Sequence, residues 1–253
     1  MTDALIAKGN HGWKPQIVIA HQTVILSGMS FLKILGCLLS VSLSQVAIGE
    51  NLPLLKTSEI RDFSELEAPR QKVIEVAINA GKEVAGMPYL YGGNGPADGG
   101  FDCSGAMHYI LNKMELNPPR TSSDLFLWIR DQSKIHIISK EVDDLRHKDF
   151  AHLKPGDLVF WTGTYEPTDG RKTKITHVGM FLGYEKKDEH AVMINATNGR
   201  SYRGSKGNGF GVYDFRVPRK GSKSRIVGYG TPPGLISKTR VPALDGAVPQ
   251  GSP

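Results

Sequence analysis

The sequence predicts an α+β fold, with helices first and an antiparallel sheet second. Apolar residues recur at helical spacing from Arg70 to Ala85 and again from Ala106 to Leu116, whereas beyond residue 133 the period changes to strand alternation. Size supplies a third observation. With 253 residues, an apolar leader and a Pro/Gly-rich tail, the chain has room for one domain with a proper core.

Residues 1–49 form the leader. From Met29, MSFLKILGCLLSVSLSQVAIGE has a short start with Lys33, an apolar stretch from Ile34 to about Val46, and small residues Ala47 and Gly49 where a signal peptide is cut. A secretory signal peptide is therefore expected, with Met29 as the true start. Two other readings stay open: a lipoprotein signal at Leu35-Gly36-Cys37, against which the apolar run continues past Cys37, and an uncleaved anchor over Ile17 to Ile48. All three place the folded part outside the cytoplasm, periplasmic or extracellular, with membrane contact only through an uncleaved leader. Residues 50–69 read as a polar linker, 70–231 as the folded domain, and 232–253 as a disordered tail with neither period nor core.

The domain opens on a helix in which Val73, Ile74, Ala77, Ile78, Val84 and Ala85 share one stripe, and Pro88 stops it. Next comes GMPYLYGGNGPADGGFDCSG, Gly86 to Gly105, whose glycines let the backbone turn sharply and approach other groups closely. Asp102 stands where an N-cap belongs, and Cys103 falls in the first turn of a second helix. Asn117-Pro118-Pro119 breaks that helix, and Thr121-Ser122-Ser123 caps a third around Asp124 to Asp131. Lys134 to Ser139 is a candidate strand, and Lys140 to His152 is a charged surface excursion. The turn Lys154-Pro155-Gly156-Asp157 leads into a buried strand, Leu158 to Trp161. Thr176 to Tyr184 and Ala191 to Ala196 form a hairpin, and further strands are expected at Arg216-Val217 and Arg225 to Tyr229.

Charge and composition exclude several functions. The net charge is +6, but basic residues are interspersed with acids, and no common nucleic-acid module or interleaved stacking aromatics accompany them, so no nucleic-acid partner is expected. There is no CxxC, no HExxH and no zinc-type spacing, so neither metal nor cofactor is expected. Of the two cysteines, Cys37 lies in the leader, which leaves Cys103 without an internal disulfide partner.

A lone thiol at a helix start is a candidate nucleophile, because the helix N–H groups and dipole favour its anion. It needs a base and a group that orients the base. Among eight histidines, position in the leader, in charged stretches or on the far side of the second helix leaves His136 and His177. His177 is favoured, since it opens a strong strand and Gly179, two residues on, leaves room for another group on the same face. Asn195 sits mid-strand among apolar neighbours, where an amide needs a partner; its carbonyl is expected to hold the Nδ1 hydrogen of His177.

In this order, PYLYGG…FDCSG, NPPRTSSDL, LKPGDLVFW, THVGMFLG and MINAT closely resemble the NlpC/P60 family of papain-like cysteine peptidases, over about Val73 to Tyr229. The resemblance implies Cys103 as nucleophile, His177 as base and Asn195 as third residue. It also implies Tyr89 facing the site, with Asp102 and Ser104 beside the nucleophile as candidate substrate contacts or structural support, and a structural duty for Arg120 and Ser122. It implies helices packed on a central antiparallel sheet, and a monomeric enzyme that cuts peptidoglycan stem peptides, most often between γ-D-glutamate and a diamino acid, through a thioester and a thiolate–imidazolium pair. Two other uses of such a fold stay open: a non-catalytic wall-binding protein and a thioester acyltransferase. The loops Gly93 to Cys103 and Gly163 to Thr176 are longer than short family forms, so they are expected to reshape the cleft.

Overall fold

The computed structural model describes residues 55–235, so the signal peptide, its rival readings and residues 236–253 lie outside the described residues. Helix α1, Ala68–Glu83, carries Pro69 in its first turn, where the missing N–H has no intrahelical acceptor to lose. Its buried stripe is Val73, Ile74, Ala77, Ile78, Ala80 and Gly81. After it come the two-residue strands β1, Asn94–Gly95, and β2, Gly100–Phe101, then α2, Cys103–Asn112, and α3, Ser122–Gln132. Helix α2 ends earlier than its apolar run because Glu115 and Asn117 take positive φ, 59° and 47°, and turn the chain toward the prolines. Thr121 caps α3, its Oγ1 accepting from the Asp124 N–H at 3.1 Å.

The strands that follow are β3 (Ile135–Ile137), β4 (Leu158–Thr162), β5 (Ile175–Tyr184), β6 (Ala191–Thr197), β7 (Ser201–Tyr202), β8 (Ser205–Lys206), β9 (Gly209–Asp214) and β10 (Arg225–Gly230). Six of them form one antiparallel sheet in the order β3-β10-β4-β5-β6-β9. Strand β9 replaces the expected strand at Arg216-Val217. Its sequence GFGVYD hides the alternation, because Gly209 at φ +111° has no Cβ to collide with the Met87 carbonyl that closes on it.

Alternation divides the sheet into two buried faces. Phe160, Val178, Met180, Leu182, Ile194 and Val212 meet the three helices. Val159, Trp161, Phe181, Met193 and Tyr213 form a second core, covered by Phe150 with Val142, Leu145 and Leu153. The charged stretch Lys140 to His152 is thus the lid of the second core, its few apolar residues turned inward. Two segments read as lying outside the domain also enter it. Leu55 and Ile60 precede α1 and are buried, as is Leu235 after the last strand. Each contributes single residues rather than a face, which leaves no period to detect.

One buried ion pair fixes the helix layer to the sheet. Arg70 of α1 donates to Asp157 at 2.9 Å and to the Pro155 carbonyl at 2.7 Å, both in the turn before β4, and to Thr231 Oγ1 at 2.7 Å just after β10. These contacts orient α1 and so the glycine loop that follows it.

Candidate active site

Cys103 is the first residue of α2 and is almost fully buried, at 6% exposure. Asp102 takes an extended N-cap conformation and its carboxylate is fully engaged. Oδ1 accepts from the Gly105 N–H at 2.6 Å and from Ser104 Oγ at 3.1 Å, and Oδ2 accepts from the Gly92 N–H at 3.1 Å. Arg120 donates to both oxygens at 3.0 Å and to the Gly92 and Gly93 carbonyls at 2.8 Å. The glycine loop is thereby strapped to the start of α2. Gly105 makes the approach possible, since a Cβ there would overlap the Gly93 carbonyl. Asp102 and Ser104 line the cleft, yet their polar atoms serve this strap.

His177 opens out from β5 opposite Trp161 of β4, with ring centroids 5.5 Å apart. The backbone N–H groups of Val178, the next residue, and of Ser104 act to lower the pKa of the Cys103 thiol, against the larger effect of burial. Asn195 of β6 is buried and lies 2.7 Å from His177 through Nε2, not through Nδ1 as expected from the sequence. Nδ1 makes no hydrogen bond among the described residues. As placed, the amide nitrogen faces Nε2 and donates to the Val178 carbonyl at 3.3 Å, with Oδ1 unpartnered; the turned-over amide would accept from Nε2–H and leave Nδ1 basic at the expense of the Val178 contact. Gly179 creates the space for this amide, as its missing Cβ would lie 3.1 Å from Asn195 Nδ2 and would overlap the Met193 methyl. Met193 can swing aside, so Gly179→Ala is expected to fold and to lose about tenfold in kcat through displacement of Asn195. Unchanged kcat would remove Asn195 from the positioning of His177. The rival base His136 lies on β3 at the far edge of the sheet, stacked on Tyr229 at 5.0 Å.

The cleft has two lobes. The smaller, about 250 Å³, is lined by Cys103, Ser104, Arg120, Ser122 and Arg171. The larger, about 820 Å³, is lined by His177, Thr176, Thr197, Arg200, Arg216 and Lys223. Tyr89, Tyr91 and Tyr165 border both lobes. Tyr91, from the glycine loop, meets Tyr165, from the loop after β4, edge to face at 5.9 Å. The start of the glycine loop thus touches the long loop after β4 across the cleft. Arg171 holds Tyr165 in place, donating to its hydroxyl and to the Ile175 carbonyl at 2.6 Å each. Tyr91, Tyr165 and Arg200 were missed in the sequence because they stand on loops without periodicity; for Tyr165 alone the unusual length of its loop was a signal.

Burial opposes charge on both Cys103 and His177. It pushes the Cys103 thiol up to about 12, with the Asp102 carboxylate adding to the effect. It pulls His177 down to about 3, with Arg200 adding to it. Burial thus works against the thiolate–imidazolium pair expected from the sequence and favours the neutral form of each group. The sign for stability follows. His177 stays neutral in the fold while its unfolded form protonates near 6.5, so its contribution is complete above that pH and is lost as pH falls toward 3. The loss is at most ~1.4 kcal/mol per pH unit. Urea unfolding at pH 7 and pH 5 should show a larger acid loss in the wild type than in His177→Gln; equal losses would contradict the neutral buried imidazole.

Residues 86–216, more than half of the chain, match the model of the NlpC/P60 family. Murein DD-endopeptidase MepH of Escherichia coli is 34% identical over 121 residues, covering 47% of this chain and 37% of that protein. The bifunctional muramidase/DL-endopeptidase CwlT of Bacillus subtilis is 32% identical, over 43% of this chain and 26% of that protein. A γ-D-glutamyl-L-lysine dipeptidyl-peptidase of Bacillus cereus is 30% identical, over 49% of this chain and 32% of that protein. The chain thus matches about a third of the length of these relatives.

Proposed function

Because the chain belongs to the NlpC/P60 family, we propose that it is a cysteine endopeptidase acting outside the cytoplasm on stem peptides of bacterial peptidoglycan, at the bond between γ-D-glutamate and the diamino acid. The relatives named above act on wall peptides or γ-D-glutamyl bonds by their names. One observation carries the chemistry: Cys103 stands buried at the capped start of α2, and His177, on the wall of the adjoining lobe, is held by Asn195.

As a stem-peptide carbonyl enters, Cys103 gives its proton to His177 Nδ1 while the sulfur bonds to the carbonyl carbon. Attack from the neutral pair avoids isolating a buried ion beforehand. The Cys103 backbone N–H, unpaired at the start of α2, receives the developing oxyanion. His177 then protonates the amine, the C–N bond breaks, and a thioester remains. A water molecule, losing its proton to His177, hydrolyses the thioester and restores the thiol. Tyr89, half-buried at the junction of the two lobes, sits where it would contact the peptide around the scissile bond.

Mass spectrometry of muropeptides released from purified sacculi tests the assignment. The expected products end in a free γ-D-glutamyl carboxylate on one side and begin with the diamino acid amine on the other. Release of only D-alanyl termini would move the activity to the cross-link, and intact stems would overturn it.

A further inference from the structure

Arg200 sits in the turn between β6 and β7, on the wall of the larger lobe that also carries His177. Its guanidinium lies 4.7 Å from the centre of the Trp161 ring. Burial lowers its pKa to about 10. Among the described residues no carboxylate faces it, whereas its neighbours in the lobe are paired, Arg216 with Asp214 at 2.6 Å and Lys223 with Glu166 at 3.6 Å. Arg200 is partly buried, and the Trp161 face holds its guanidinium at the lobe with no hydrogen-bond partner among the described residues. Its donors are available to an anion that arrives through the cleft.

The lobe defines which part of a peptide brings it. His177 hands its proton to the departing amine, so the amine half of the substrate occupies the lobe that His177 lines, while the acyl half lies with Cys103 in the smaller one. We propose that Arg200 binds a carboxylate on the leaving-group side of the scissile bond, a specificity role that rests on the peptidase reading of this site. A guanidinium takes a carboxylate through two parallel N–H donors, a geometry that an ammonium or amide on the ligand does not satisfy. Two carboxylates are available on that side: the side-chain carboxylate of a diamino acid such as diaminopimelate, which lysine lacks, and the free C-terminus of a trimmed stem. Recognition of the first makes the enzyme selective for diaminopimelate walls.

Calorimetric binding to the full chain carrying Cys103→Ala requires no turnover and separates the sources. The probes are a stem tetrapeptide containing diaminopimelate, the same peptide with its side-chain carboxylate amidated, the same with its C-terminus amidated, and the lysine analogue. Amidation of the recognised carboxylate should weaken binding about tenfold to a hundredfold. Adding Arg200→Gln should erase that difference, and Arg200→Met, which keeps the aliphatic stem over Trp161, should do the same in a folded protein. A side-chain amide that weakens binding assigns the diaminopimelate carboxylate; a C-terminal amide that does so assigns the terminus. Equal affinities for all four probes, or a preference that survives both Arg200 variants, would overturn the assignment. A protein that binds with the preference yet cuts no sacculi would overturn the hydrolytic reading alone, and one that cuts without preference would overturn this inference alone.

Discussion

Replacing Cys103 with alanine is expected to lower peptide release from sacculi by at least ~10⁴-fold while leaving the fold in place. The two halves of that expectation have separate causes. The cap of α2 is built from the Asp102 carboxylate and the Gly105 N–H, and the strap from Arg120, none of which involves the sulfur. Removing one buried sulfur leaves a small cavity worth on the order of 1 kcal/mol. Chemistry, by contrast, has no substitute nucleophile, since Ser104 turns its hydroxyl to Asp102 and Arg120. Activity near the wild-type level in a folded Cys103→Ala protein would rule out the thioester route.

The second large effect lies one layer behind the nucleophile. Arg120→Ala removes every side-chain donor that α3's leading loop gives to Asp102 and frees the Gly92 and Gly93 carbonyls. Asp102 would remain as a mostly buried carboxylate beside the thiol, at 13% side-chain exposure. Stranding such a charge costs about 3–5 kcal/mol when both partners are buried, and the 31% exposure of Arg120 reduces this to roughly 2 kcal/mol. The glycine loop would loosen with it, so kcat/KM should fall about a hundredfold. Arg120→Lys should recover little, because an ammonium cannot span two carboxylate oxygens and two carbonyls at once. Denaturant unfolding and steady-state kinetics together measure this. Unchanged stability would mean that the strap is a surface contact without structural duty.

The legible part of this molecule was the part where physics repeats along the chain. The stripe on α1, the Asp102 cap, the Leu158 to Trp161 strand and the hairpin carrying His177 and Asn195 each impose a period or a fixed residue type, and each was found where the sequence put it. Even the space left by Gly179 was foreseeable, since an amide on the paired strand requires it. Residues acting singly gave no such sign. Leu55 and Ile60 fill one hole each, strand β9 is broken by glycine, and Tyr91, Tyr165 and Arg200 belong to loops whose contacts exist only after folding. The protonation state was also out of reach, because it depends on how completely the site excludes water.

The proposed nucleophile, Cys103, is testable by its own reactivity. The most direct measurement is inactivation by a stem-peptide analogue, alanyl-γ-D-glutamyl chloromethyl ketone, followed by peptide mapping and by the residual rate on sacculi. One adduct on Cys103, formed in step with loss of activity and absent in His177→Ala, is the expected result. Complete labelling of Cys103 with hydrolysis intact would contradict the assignment.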